Sequence, residues 1–225
     1  MYNRQVYDGF ATFLFVPGHT AHSGAHVRDG IDLKRTMNTV IMALVPCLLF
    51  GIWNVGYHHY NALGIDATFF EQFIFGAIKV IPMVIVSYGV GLGLEFLFCV
   101  IKGHQIEEGY LVSGMLIPLI MPVDIPLWMV AISVAFAVVI GKEVFGGTGM
   151  NIFNPALLAR AFAFFAYPTY MSGDKVWINT SVQEGQAVVD GWSGATILGE
   201  IAATGATSYS AFDAFLGLIP GSFGE

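Results

Sequence analysis

Charged residues are scarce in this sequence. Only 11% of the 225 residues are Asp, Glu, Lys or Arg, whereas 56% are hydrophobic and the mean hydropathy is +0.69. A water-soluble domain usually has about a quarter charged residues. This chain has too few charges to cover a surface that faces water, so the sequence predicts a membrane protein whose main surroundings are the lipid bilayer.

Basic residues and cysteines are also few. Nine Lys and Arg stand against 16 Asp and Glu, a net charge of −7. Nucleic-acid binding needs clustered basic side chains, so a nucleic-acid partner is excluded. Cys47 and Cys99 lie in apolar runs without the spacing of a metal or iron–sulfur motif, and we expect each to be a small buried hydrophobe. Residues 1–9 are polar and mixed in charge, which argues against a cleavable signal peptide.

Long apolar runs make up most of the chain. A helix that crosses a bilayer needs about 20 apolar residues. We therefore predict an all-α integral membrane protein, a polytopic helical bundle with five transmembrane helices within residues 36–171 and the truncated start of a sixth at residues 211–225. The five predicted spans are residues 36–55, 72–101, 109–122, 125–140 and 153–167.

The third apolar run is short. Residues 109–122 contain two prolines and form either a tightly packed span or a broken half-helix. Broken helices at membrane depth line sites or cavities, because their free backbone groups need partners. In the second run, Gly89, Gly91 and Gly93 are expected to allow close helix packing.

Basic residues indicate the orientation of the spans. The predicted polar connection at residues 57–71 and the short one after residue 122 contain no Lys or Arg. The positive-inside rule then places residues 1–35 in the cytoplasm and, after five crossings, the polar loop of residues 172–210 on the outer, periplasmic side. If residues 109–122 re-enter instead of crossing, the sides are reversed from there on. The basic residues on the cytoplasmic side are Arg4, Arg28, Lys34, Arg35, Lys102 and Lys142.

Some polar residues need a separate explanation. His19, His22 and His26 match no common metal spacing, so we interpret them as part of a solvated segment and predict no metal site. Glu95 and Arg160 are ionisable groups inside apolar runs and are candidates for function. Glu95 lies near a predicted membrane face, where its carboxylate could instead extend to water.

A glycine-rich loop precedes the fifth run. Asn154 followed by Pro155 is a good helix start, because Asn caps a helix and Pro fits its first position. In a second interpretation, Thr148, Asn151 and Asn154 form hydrogen bonds with a polar heterocycle, and the neighbouring glycines let the backbone approach it closely.

The polar loop contains the sequence Asp190-Gly191-Trp192-Ser193-Gly194-Ala195-Thr196. Gly, Ser, Asp and Thr favour turns for backbone reasons, so a surface turn is the simplest interpretation. A hydroxyl next to glycine and alanine is also open to an enzyme that attaches a group to it.

Several stretches together resemble the B subunit of bacterial sodium-translocating NADH:quinone oxidoreductases. The Asp-Gly-X-Ser-Gly-Ala-Thr sequence is similar to the flavin-attachment motif of respiratory membrane complexes. The D subunit of the related Rnf complex shares this motif and the Asn-Pro region, whereas residues 26–29 and 32–35 favour the quinone reductase. Members of this family continue beyond residue 225, so we expect this sequence to be a fragment. The other matching stretches are residues 108–109, 113–119, 141–149 and 151–157.

The resemblance implies electron transfer coupled to sodium export across the bacterial inner membrane. Electrons from NADH enter through other subunits and reach FMN, which a separate FMN transferase esterifies to Thr196. They continue through a riboflavin to ubiquinone near the cytoplasmic face, while Na⁺ is exported. No catalytic residue and no NAD site are expected on this chain. The resemblance assigns Asp190, Ser193, Gly194 and Thr196 to FMN attachment, Thr148, Asn151 and Asn154 to riboflavin, and Gly103, Glu107 and Gly109 to the quinone and sodium-entry region.

Two other classes of function fit parts of the sequence. A non-redox secondary transporter would also explain a broken helix and charges inside apolar runs. A purely structural membrane subunit would tolerate Thr196→Ala without loss of electron transfer. Thr196 discriminates between these classes, because neither a transporter nor a structural subunit needs a flavin-attachment sequence.

Overall fold

The computed structural model describes residues 23–25, 30–31, 33–102, 109–172, 177–179 and 194–224. Every regular element in these ranges is helical, which confirms the all-α prediction. A 3₁₀ turn, Glu143–Phe145, lies between the fourth and fifth helices. The helices are α1 Leu33–Leu63, α2 Phe69–Lys102, α3 Gly109–Leu119, α4 Leu127–Gly141, α5 Pro155–Ala166, α6 Pro168–Met171, α7 Ile197–Thr204 and α8 Ala211–Leu216.

Within the described residues, three helices are long and apolar enough to cross a membrane. They are α1, α2 and the continuous stretch of α4 with the 3₁₀ turn. α2 is the longest, with 34 residues and a length of about 50 Å, against about 30 Å for the hydrocarbon core of a bilayer. The chain is therefore a multi-pass membrane protein, as predicted.

The first two helices form a tight hairpin whose connection is shorter than predicted. α1 continues to Leu63, so residues 57–63, which we expected in a polar connection, are helical. Side-chain packing against α2 stabilises this part of the helix. The His59 ring stacks on the Phe75 ring, with ring centroids 3.8 Å apart. Trp53 Nε1 also donates to Gln72 Oε1 across the hairpin, at 2.9 Å.

The third run forms the half-helix that was one of its two predicted alternatives. α3 has 11 residues and a length of about 16 Å, half the thickness of a bilayer core. The carbonyl groups at its end have partners: Leu119 O accepts from Gly224 N at 2.8 Å, and Ile120 O accepts from Arg160 Nη1 at 2.8 Å. The break is therefore stable at membrane depth, because its backbone groups are hydrogen-bonded within the protein.

Tyr110 packs α3 against α2. Its side chain is fully buried, and its hydroxyl donates to Ser87 O at 2.9 Å. The Tyr110 ring lies directly over Gly91, where a Cβ would collide with it. Gly89 and Gly93 face open space, so only one of the three glycines allows the close packing that we expected of all three.

The chain passes back and forth between two ends of the bundle, called here the hairpin end (residues 64–68) and the loop end (residues 142–150). Gly109 contacts Thr148 at the loop end, whereas Asp124 accepts from Asn179 near the hairpin end. α4 then returns to the loop end. Residues 120–124, between α3 and α4, form turns and bends.

The last described segment returns to α1. α8 has six residues and stops at Gly217, whose φ of +78° suits glycine. Residues 217–224 then run along α1, where Asn54 Nδ2 donates to Gly217 O at 3.0 Å. The prediction that a transmembrane helix starts at residue 211 is therefore wrong over these residues, because α8 is too short and the chain after it packs into the bundle.

We expect Gly91→Ala to destabilise the protein. The new methyl group would meet the buried Tyr110 ring, and overpacking of this kind costs about 1–3 kcal/mol. The midpoint of thermal unfolding in detergent should fall by several degrees. Gly89→Ala and Gly93→Ala are matched controls on the same helix and should leave the midpoint unchanged or higher, since Ala favours helices. An unchanged midpoint for Gly91→Ala would show that the ring does not occupy this space.

We also expect Arg160→Met to destabilise the break after α3. Methionine keeps the apolar length of the side chain but leaves Ile120 O without its donor, at a cost of about 1–3 kcal/mol. The measurement is the temperature at which half of the detergent-purified protein is lost from its size-exclusion peak. Arg35→Met, an exposed change on α1, is the control. Equal midpoints for the two variants would contradict this role of Arg160.

Candidate functional site

Thr196 is the first of two candidate regions. It is the N-cap of α7, with φ −63° and ψ 158°, and its Oγ1 accepts from Gly199 N at 3.3 Å. The Thr196 side chain is half-buried. A phosphate on this oxygen would lie at a helix N-terminus, where free N–H groups and the helix dipole favour negative charge. The described residues around Thr196 therefore fit a phosphoester.

The segment around Thr196 is tied together by a carboxylate in the first turn of α7. Glu200 accepts from Thr207 Oγ1 at 3.0 Å and from Ser208 N at 3.2 Å. Hydrogen bonds from Ser208 and then from Thr207 hold the pKa of Glu200 below its ordinary range. Burial raises the pKa of Tyr209, which also lies within electrostatic range of Tyr57 near the end of α1. The Thr196 segment therefore belongs to the hairpin end.

Of the other predicted attachment residues, only Gly194 is described. It is buried. Asp190 and Ser193 lie outside the described residues, as do Gly103 and Glu107 of the predicted quinone and sodium-entry region. The N-terminal histidines are outside them too. Within the described ranges, no three His, Cys, Asp or Glu side chains come together as metal ligands.

The second candidate region is a cavity at the loop end. It has a volume of about 210 Å³ and lies between the end of α2 and the glycine loop, defined here as residues 142–150. Its lining is unusually polar for this protein. The lining residues are Glu95, Phe98, Cys99, Lys102, Lys142, Glu143, Gly146, Gly147, Thr148 and Met150.

Two ion pairs join α2 to the glycine loop at this cavity. Lys142 pairs with Glu95, and both residues are buried, with exposed fractions of 3% and 2%. Lys102 Nζ, more exposed, donates to Glu143 O at 2.6 Å and lies 3.5 Å from Glu143 Oε2. Ammonium groups and the Thr148 hydroxyl thus provide hydrogen-bond donors around the cavity.

The structure brings some predicted residues together and separates others. Gly109 from the predicted quinone region contacts Thr148 from the predicted riboflavin region. Asn154 Oδ1 caps α5 and accepts from Ala156 N at 2.9 Å, which confirms the predicted helix start. Asn151 accepts from Gly149 N and donates to Phe153 O within its own loop. Neither asparagine lines the cavity.

The size of the cavity limits what it holds. A cavity of about 150 Å³ accommodates benzene, and pockets for drug-sized ligands begin at about 300 Å³. The loop-end cavity, at about 210 Å³, therefore fits a single six-membered ring with acceptor groups.

The sequence did not reveal the role of Lys142 and Glu143, which we expected only to flank a span. Glu95 was the one sequence feature that pointed to this role, because a carboxylate in an apolar run needs a cation beside it if it is buried. Our alternative that Glu95 extends to water is wrong, because Lys142 pairs with it inside the bundle. Cys47 is exposed on α1 and Cys99 lines the cavity, so neither is the buried hydrophobe that we expected.

Comparison with known proteins identifies the family of this chain. A model of the NQR2, RnfD, RnfE family matches residues 20–225. The chain is 41% identical to the B subunit of the Na(+)-translocating NADH-quinone reductase of Chromohalobacter salexigens, with 98% of this chain and 57% of the relative covered. The corresponding protein of Stutzerimonas stutzeri is 43% identical, with 98% and 59% covered, and that of Neisseria meningitidis serogroup B is 40% identical, with 98% and 60% covered. The chain spans less than two thirds of the length of these relatives, and it belongs to the NQR2, RnfD, RnfE family.

Proposed function

We propose that this chain is part of the B subunit of a sodium-translocating NADH:quinone reductase, where it transfers electrons within the membrane. The observation that carries the proposal is a half-buried threonine at a helix N-terminus, in a chain about 40% identical to that subunit over 98% of its length. Such a subunit works in a complex of several chains in the bacterial inner membrane.

Thr196 is the residue that would hold FMN through a phosphoester. The Thr196 side chain is only half-buried, and an esterified oxygen keeps a lone pair for Gly199 N. The N-terminus of α7 would stabilise the phosphate, because its first N–H groups point outward. When bound, FMN would supply the electron-carrying chemistry. The protein would hold the phosphate, with an FMN transferase as the partner that attaches it.

The two candidate regions would play different parts. We assign the hairpin end, with Thr196, to the periplasmic side and the loop end to the cytoplasmic side, as the basic residues indicate. α2 alone is about 50 Å long, so an electron path between the ends needs a further redox group in this chain or in a partner subunit. Riboflavin remains our proposal for that group, although only Thr148 of its three predicted residues faces the cavity.

The loop-end cavity suits the ring of a quinone. A quinone presents carbonyl oxygens that accept hydrogen bonds, and Lys102 and Thr148 offer donors around a space of single-ring size. Gly109, from the predicted quinone region, borders it through Thr148. We therefore propose that ubiquinone is reduced here and that Na⁺ transport is coupled to this transfer.

Two alternatives remain. The matched family also includes RnfD and RnfE, so an RnfD-type electron-transport subunit is one of them, although the relatives compared above all come from the quinone reductase. A non-redox transporter is the other. It is favoured by the half-helix α3, since transporters place substrate sites at broken helices.

We expect Thr196→Ala to abolish flavin attachment. When the full-length subunit is produced together with an active FMN transferase, the wild-type protein should gain the mass of one FMN, and the Thr196→Ala variant should not. Thr196→Ser keeps a hydroxyl at the same position and should retain at least part of the attachment. The measurements are intact mass and flavin fluorescence of the denatured protein in a gel.

Thr204→Ala is the matched control for this experiment. Thr204 has the same side chain on the same helix, at its opposite end, so its loss should leave the flavin in place. If the wild-type chain gains no flavin mass in the presence of the active transferase, the redox proposal loses its main support and the transporter alternative comes first.

A further inference from the structure

We propose that Lys142 is a positioning residue whose buried ion pair with Glu95 anchors the glycine loop to α2 and so keeps the loop-end cavity in shape. The anchor itself is independent of the reaction proposed above. Only the second of the two tests below rests on that proposed function.

The first argument is the burial of the pair. Glu95 and Lys142 are 2% and 3% exposed, in a chain with only 11% charged residues. Removing two charges from water is costly, and their attraction only partly offsets this cost. A well-packed apolar pair would therefore hold two helices together at least as well. An ion pair retained at this depth is better explained by the position and orientation that it imposes on the loop.

The second argument is the place of Lys142 in the chain. α4 ends at Gly141, and the next residue begins the loop. The Lys142 carbonyl accepts from Phe145 N at 3.2 Å and from Gly147 N at 3.1 Å, so the backbone of Lys142 organises the first turn of the loop. Its side chain reaches a residue 47 positions earlier in the sequence. One residue thus connects the fold of the loop to the position of α2.

The third argument is the backbone of the loop itself. Gly146, Gly147 and Gly149 all have positive φ, at +118°, +99° and +86°. Glycine allows these conformations but also many others, so the loop depends on its attachments for a single position. The Lys102–Glu143 pair is the other ionic attachment that the described residues provide here. It is partly exposed, and pairs of that kind contribute little.

The reactivity of the Cys99 thiol measures whether the anchor is intact, and this measurement needs no bound ligand. It lines the cavity beneath the glycine loop. In membranes containing the full-length subunit in its complex, N-ethylmaleimide labelling of the Cys99 peptide is followed by mass spectrometry. Lys142→Met removes the charge and leaves Glu95 buried alone, so the loop should open more often. Labelling should become about tenfold faster or more, because the reaction follows the open fraction.

Restoring the pair should restore protection. The exchanged variant Glu95→Lys with Lys142→Glu keeps both charges in contact and should return labelling to within about threefold of the wild-type rate. Lys79→Met is the matched control. It makes the same chemical change in the half-exposed Lys79–Asp124 pair, away from the loop end, and should not alter Cys99 labelling.

Unchanged labelling in Lys142→Met, or an exchanged variant as reactive as Lys142→Met, would overturn the proposal. If Lys142→Met does not accumulate in the membrane, Glu95→Gln with Lys142→Met takes its place, since this double variant buries no unpaired charge. Faster Cys99 labelling in the double variant supports the anchor, and wild-type labelling contradicts it.

The second test separates the anchor from the proposed reaction. In the complete complex, Lys142→Met should raise the KM for a short-chain ubiquinone about tenfold with little change in kcat, because it disturbs a binding surface and not the reacting groups. The exchanged variant should restore the KM. Faster labelling with an unchanged KM supports the anchor and shows that the quinone does not bind in this cavity. Unchanged labelling contradicts the anchor, whatever the KM is.

Discussion

Inside a bilayer, every backbone polar group must find its partner within the protein, and this requirement governs the structure around the end of α3. The helix stops after 11 residues, and its last carbonyl groups would have no donor in lipid. Arg160 on α5 and Gly224 from the returning segment supply the donors. The position of α5 and the course of residues 217–224 along α1 are therefore linked to a single break in one helix.

Charged residues are few in this protein, and those in apolar surroundings have partners inside the bundle. Of the few ionisable residues in apolar surroundings, Glu95 meets Lys142 and Arg160 meets a carbonyl group, so each is compensated. Both contacts join segments that are distant in sequence, and both occur where regular helix ends. In this protein the buried charges hold irregular backbone, whereas close contacts such as Tyr110 on Gly91 hold the regular helices together.

The two ends of the bundle have different chemical character. At the hairpin end, an exposed short helix presents the Thr196 hydroxyl, and α7 and α8 bury no residue of their own. At the loop end, charged and glycine residues enclose a small cavity. Under the proposed function, the hairpin end would hold FMN and the loop end a quinone ring.

Much of this architecture followed from composition and pattern. The scarcity of charge determined the membrane class, and the apolar runs located α2 and α4 to within three residues at each boundary. The order of short motifs identified the family. These features depend on local sequence, because the bilayer selects helices by length and hydropathy alone. The extension of α1 to Leu63, the pairing of Glu95 with Lys142 and the capping of α3 by Arg160 depended on the tertiary structure. Each results from contacts between residues far apart in the chain, which no local pattern contains.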